Sequence, residues 1–286
     1  MSMRPRAAWL FLALAAAGCS TASDASKPPA QVSVPLANDV AKRLILPFDE
    51  YILSTYEVHT VESAEDVLVR DCMRDQRKQW SYLPRPSRRV LDPPNRRRYG
   101  VIESGVADRF GYHLPPERPE VSRRSDAWDA RSKLPRDVQL AAYGADGVSG
   151  CWEGAHESLL RNVPTVDDSL LNKWIKKDFD KAMRHPDVVR ALGKWSRCMK
   201  EEGFAYPDPL SAAEDPAWSK TDRPSRRELS VAKADVQCKT KVNLVSAWSR
   251  VETTLQREAI RRHPDHFNKL KLVKERHLDA ARKILG

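Results

Sequence analysis

The stretch RRELSVAKADVQCKTKVNLVSAWSRVETTLQREAIRR, residues 226–262, decides the fold. Val231, Ala234, Cys238, Val242, Val245, Trp248, Leu255 and Ala259 follow one another at steps of three, four and once seven. That spacing predicts one continuous helical seam. Asp235 with Lys239, and Glu258 with Arg262, add favourable charge pairs four residues apart. Pro264 interrupts this helix or starts the next. Residues 265–285, with Phe267, Leu270, Val273, Ala281 and Ile284, read as a second helix that folds back on the first, giving a helical hairpin over 225–286.

The same period recurs toward the amino terminus. Residues 186–202 carry the stripe Val188, Ala191, Leu192, Trp195, Cys198 and Met199, with Pro186 at the helix start and Gly203 just past its end. Residues 167–184 open with paired acids and close on Lys181 and Arg184, matching both ends of the helix dipole. Residues 148–161 place Cys151, Trp152, Ala155, Leu159 and Leu160 on one face, and residues 63–77 begin at Ser63 with Glu65 and Asp66. Residues 83–137 differ. Eight of the 20 prolines lie there, and the segment reads as a long Pro/Arg-rich loop with one short ordered piece over residues 99–112. No alternating strand pattern of convincing length occurs, so the expected fold is all-α, an irregular helical body stapled by disulfides.

Composition narrows the class further. The chain has 286 residues, 41% hydrophobic and 31% charged, which excludes a multi-span membrane protein and a wholly disordered one. Residues 1–18 place Arg4 and Arg6 before an apolar run from Ala7 to Ala17, the layout of a secretory signal. Eleven apolar residues fall short of the roughly 20 that span a bilayer. The run ends in Ala16-Ala17-Gly18-Cys19, which resembles the lipobox of bacterial lipoproteins, with Ala16 where that family most often has Leu. The resemblance implies cleavage before Cys19 and a lipid on its thiol. Residues 19–38, rich in Ser, Ala, Pro and Lys, read as a flexible tether, leaving 39–286 as the folded body.

Four cysteines then remain: Cys72, Cys151, Cys198 and Cys238. Export favours two disulfides, and four cysteines allow three pairings. An internal echo selects among them. Arg70-Asp71-Cys72-Met73-Arg74-Asp75 and Ser196-Arg197-Cys198-Met199-Lys200-Glu201 each end a helical pattern, and each precedes one further cysteine. The expected pairs are Cys72 with Cys151 and Cys198 with Cys238.

Charge is unevenly spread. The chain has 49 Lys and Arg against 39 Asp and Glu, and loss of residues 1–18 lowers the net charge from +10 to +8. Residues 225–286 hold 15 basic and 7 acidic side chains, so the whole surplus lies there. Residues 84–98 add a local excess through Arg85, Arg88, Arg89, Arg96, Arg97 and Arg98 against Asp92 alone. The candidate anion contacts are Arg96, Arg97, Arg98, Arg261, Arg262, Lys269 and Lys271. An exported protein meets anionic lipid headgroups, envelope polymers or envelope proteins rather than nucleic acid. The plain alternative is a solvated helix face.

Motifs of diagnostic spacing are missing: no phosphate-cradling Gly-rich loop, no Gly-x-Ser-x-Gly elbow and no His-Glu-x-x-His helix. His263-Pro264-Asp265-His266, with His277, is the best local metal candidate, but it reads as a helix junction. His156-Glu157 and Asp167-Asp168 fit helix surfaces and starts, and Trp152, Trp174, Trp195 and Trp248 fit a core. No catalytic residue, cofactor or metal is expected. A lipid-anchored binding or structural protein is the leading function class, and an envelope hydrolase with a site assembled from distant residues is the alternative.

Several blocks together carry a wider resemblance. The lipobox-like end, Leu46-Pro47-Phe48-Asp49-Glu50-Tyr51, Asp71-Cys72-Met73, Arg98-Tyr99-Gly100, Gly111-Tyr112, Gly150-Cys151-Trp152, Trp195-Ser196-Arg197-Cys198-Met199, Gly203-Phe204 and Ala234-Asp235-Val236-Gln237-Cys238 resemble an uncharacterised group of actinobacterial lipoproteins. The resemblance implies export to the outer face of the cytoplasmic membrane and paired cysteines. It implies no activity.

Overall fold

A computed structural model describes residues 34–286 apart from 146, 148 and 168. The expected signal peptide, Cys19 and most of the expected tether lie outside the described residues. Twelve helices and no strand occur among those described: α1 Asp39–Arg43, α2 Thr55–Asp75, α3 Ser104–Phe110, α4 Pro119–Arg131, α5 Arg136–Tyr143, α6 Cys151–Leu160, α7 Ser169–Met183, α8 Pro186–Glu201, α9 Pro209–Ala213, α10 Arg226–Lys241, α11 Leu244–Arg262 and α12 Pro264–Leu285. The all-α expectation holds. Both disulfides pair as the echo indicated, Cys72 with Cys151 and Cys198 with Cys238.

The ordered body starts before residue 39. Ala37 is buried, Asn38 caps α1 by accepting from the Ala41 amide, and the Pro35 carbonyl accepts from Arg96 and Arg118. Residues 35–38 therefore belong to the fold and not to the expected tether, because a carbonyl held by two guanidiniums is part of the fold.

Helix α2 starts two turns earlier than the Ser63 reading. Ser54 and Glu57 form a capping box in which the Glu57 carboxylate accepts from the Ser54 amide at 2.7 Å. Ser63 lies inside the helix, where its hydroxyl donates to the His59 carbonyl. The stripe of α8 is buried at all six expected positions, and Gly203 ends the helix with φ +87°.

Residues 83–137 are not one long loop. Pro119 occupies the first position of α4, where its missing N–H costs nothing, and Pro135 precedes α5 as its N-cap. Two of the prolines thus start helices instead of breaking them. Helix α4 shows no apolar stripe because it meets α2 through arginines: Arg124 pairs with Glu62, and Arg131 with buried Asp66 at 2.6 Å. Arg131 also lies over the Trp80 ring, 4.3 Å from its centroid.

The expected single helix over residues 226–262 divides. Asn243 adopts φ +54°, a left-handed conformation that Asn tolerates better than most side chains, and this separates α10 from α11. The seam continues across the break, with Val231, Ala234, Cys238 and Trp248 buried. After His263 the chain turns again, and α12 packs chiefly against α2, with further contact to α6 and residues 47–51, rather than along α11. Phe267, Leu270, Leu278 and Ala281 are its buried positions.

The main core gathers α3, α8, α10 and α11 around Trp195, Trp248 and Tyr99, all fully buried. A smaller cluster of Val69, Met73, Trp80, Ala142, Cys151 and Ala155 surrounds the Cys72–Cys151 bridge. Several polar groups enter the main core in hydrogen-bonded sets. Asp235 accepts from Lys239 at 2.9 Å, from the Trp195 indole at 3.0 Å and from the Tyr112 hydroxyl, and Lys239 also donates to the Val101 carbonyl. Burial pushes the Asp235 carboxyl up and the Lys239 ammonium down in pKa. Glu228 sits against Gly111, where φ is +57° and a Cβ would lie 2.6 Å from the carboxylate. The Tyr112 and His113 amides donate to the same Glu228 oxygen.

Candidate functional site

The two basic stretches meet different fates. Arg96, Arg97 and Arg98 are not a free anion-binding surface, which corrects the expectation from charge alone. Arg96 is 6% exposed and donates to Glu103 at 2.5 Å, Asp92 at 2.7 Å and the Pro35 carbonyl at 3.1 Å. Arg97 donates to the Tyr112 and His113 carbonyls, and burial pushes its guanidinium pKa down. Arg98 pairs with fully buried Glu252, which also accepts from the Tyr99 hydroxyl at 2.8 Å and the Gln256 amide at 3.0 Å. An arginine run reads as a patch only while its partners are unknown, and these partners lie up to 154 residues away.

Arg261, Arg262, Lys269 and Lys271 are exposed on α11 and α12. Arg262 pairs with Glu258 and Lys271 with Glu50, surface pairs that solvent screens strongly. On α12, Lys269, Arg276 and Lys283 stand seven residues apart and all are exposed, so they form one stripe on the outer side of the helix. Its buried side carries Phe267, Leu270, Leu278 and Ala281. Amphipathicity of α12 thus presents cations outward as a consequence of docking the apolar side on α2.

Beside α12 lies a cleft of about 610 Å3, walled by residues 51–53, Val58 near the start of α2, residues 160–166, Leu171 with Asn172 on α7, and the α12 residues Leu270, Val273, Lys274 and His277. Most of the lining is aliphatic. Lys274 donates to the Ile52 carbonyl at 2.7 Å and pairs with Glu57 at 3.2 Å. Burial, and then the nearby His156, hold the His277 imidazole below its usual pKa. Sequence reading missed this cleft because five separate segments build it.

The histidines otherwise serve packing. His263 stacks on Trp174 and His266 meets it edge-on, with centroids 4.8 and 5.2 Å away. Among the described residues no group of three metal-ligating side chains assembles. His156 bonds Glu65 at 2.7 Å and stacks on Trp152, and burial raises the Glu65 pKa. Such an imidazole–carboxylate pair can orient a general base. No hydroxyl or thiol of the described residues bonds this imidazole, so the pair ties α6 to α2. Trp195 and Trp248 are core, as expected, whereas Trp152 and Trp174 are partly exposed.

No protein family, curated protein or solved structure matches the chain. Among the described residues no helix is long and apolar enough to cross a membrane.

Proposed function

We propose that the protein is a lipid-anchored, extracytoplasmic binding protein of the bacterial cell envelope, held at the membrane by Cys19 and contacting anionic polymers, lipids or a protein partner through α11 and α12. The observation that carries this reading is the outward stripe Lys269, Arg276 and Lys283 on a helix pair with ten basic side chains against five acidic. Two disulfides inside the body support export, because such bonds persist in oxidising compartments. A basic segment beside a lipid anchor adds about 1 kcal/mol per charge near an anionic surface.

The test is sedimentation of the protein with anionic vesicles and with isolated envelope material across a salt series. Binding that weakens as salt rises, and that falls roughly 100-fold in a variant with Lys269, Arg276 and Lys283 changed to Gln, supports the reading. Binding insensitive to both salt and the three substitutions overturns it. For the anchor, Cys19→Ser is expected to release the protein from membranes, and membrane retention without acylation rejects the lipoprotein assignment.

A further inference from the structure

We propose that the 610 Å3 cleft beside α12 takes one molecule of a single-chain amphiphile with an anionic head, a medium-chain fatty carboxylate, its tail among the aliphatic side chains and its carboxylate against Lys274. This goes beyond the envelope contact assigned to the outward face of α12 and does not rest on it.

Size comes first. The cleft falls within the range of roughly 300–1,000 Å3 that small-molecule sites occupy. Val58, Leu160, Val166, Leu171, Leu270 and Val273 supply the apolar wall. Val58 is 36% exposed and Ile52 40%, so apolar surface at the mouth stays in contact with water.

Charge then selects the head group. Among the described residues Lys274 is the one Lys or Arg that lines the cleft, and no Asp or Glu lines it. An ammonium has three N–H donors. Lys274 uses one on the Ile52 carbonyl and one on Glu57, and the third has no acceptor among the described residues. Its partner is itself committed, since the Glu57 carboxylate also accepts from the Ser54 amide and hydroxyl. Three residues further along α12, His277 lines the same wall, but its Nε2 is enclosed by protein and out of a ligand's reach. An under-used ammonium on one wall of an aliphatic cleft fits a carboxylate, which is an acceptor only. It does not fit a cationic or a purely apolar ligand.

The experiment is calorimetric titration of the full chain carrying Cys19→Ser, so that no anchor competes, with octanoate, decanoate and dodecanoate below their micelle concentrations. Saturable one-to-one binding that tightens roughly fourfold per added CH2 is expected. Decyltrimethylammonium is expected to bind at least tenfold more weakly than decanoate. Val58→Glu, at a partly exposed position, should abolish binding while leaving the melting temperature within a few degrees of the parent. Lys274→Gln should remove the preference for carboxylate over the cationic head while binding of the tail persists. Absence of saturable binding, equal affinity for both head groups in the parent chain, or undiminished binding in a folded Val58→Glu protein overturns the proposal. Tighter binding of a two-chain phospholipid than of dodecanoate also overturns it.

Discussion

The two disulfides close nearly identical Cys-Met motifs in unlike surroundings. Cys198–Cys238 joins α8 to α10 inside the main core, where its cysteines are 5% and 0% exposed. Cys72–Cys151 joins the end of α2 to the first residue of α6 in the smallest neighbourhood of apolar side chains that holds a bridge. Cys72 is partly exposed beside a solvent-reaching cavity of about 320 Å3, and Gln76 donates to the Cys151 sulfur at 3.1 Å. Close approach supports this edge: a Cβ at Gly150 would lie 2.4 Å from the Ala142 carbonyl oxygen, so only glycine lets α6 begin against α5. One bridge therefore reinforces a core that buried aromatics and polar networks already hold. The other stands in for a core that is small.

Substitution at the buried pair of the main core should separate the two regions most strongly. Asp235→Ala leaves Lys239 enclosed without its counter-charge and is expected to cost about 3–5 kcal/mol, measured by denaturant unfolding. Removal of both edge cysteines by Cys72→Ser with Cys151→Ser comes next, at about 2–4 kcal/mol. Hydrogen exchange in that variant should rise in α5 and α6 and stay unchanged in α8 and α10; uniform loosening would deny that the regions differ. Under limiting reductant the Cys72–Cys151 bridge should open at least tenfold faster than Cys198–Cys238, read by mass spectrometry after alkylation, because Cys72 is partly exposed and both cysteines line a solvent-reaching cavity.

The smallest effect is a pH dependence within the main region. His113 Nδ1 lies 2.7 Å from Glu228, and that hydrogen bond, followed by the Thr221 carbonyl at Nε2, raises its pKa above the usual 6.5. A raised folded-state pKa gives stability that is complete below pH 6.5 and is lost as pH rises through the folded value. Wild type should exceed His113→Asn in stability by less than about 1 kcal/mol at pH 6, given the partial exposure of the ring. The margin should shrink by pH 8.5, and a margin that grows with pH would contradict the assigned pairing.

These contrasts show where the sequence was readable. Helix α8 was legible because Pro186, Gly203 and six apolar positions agree on one answer. Helix α4 was not, because arginine side chains take the place of an apolar stripe and their acids sit on α2. The polar residues inside α10 and α11 look like surface pairs in one dimension. Asp235 and Lys239 do stand four apart as expected, yet both point inward, since their remaining partners Tyr112, Trp195 and Val101 come from other parts of the chain. Of the candidate site residues, the four disulfide cysteines were legible through their repeated context. The three consecutive arginines misled, because a count of charges contains nothing about burial. The cleft left no local trace, since spacing along one helix shows only one of its walls.

The clamp on Pro35 has a mechanical consequence. Arg96 and Arg118 both hold its carbonyl, both also grip Asp92, and Arg96 grips Glu103, which in turn accepts from the Asn38 amide at 2.8 Å. A pull along the chain from residues before Val34 therefore enters the body at a braced point. It loads several charged hydrogen bonds together instead of peeling them one by one. The strain passes to residues 92–103, with α1 bypassed, so the short first helix is shielded from tension that would otherwise unwind it.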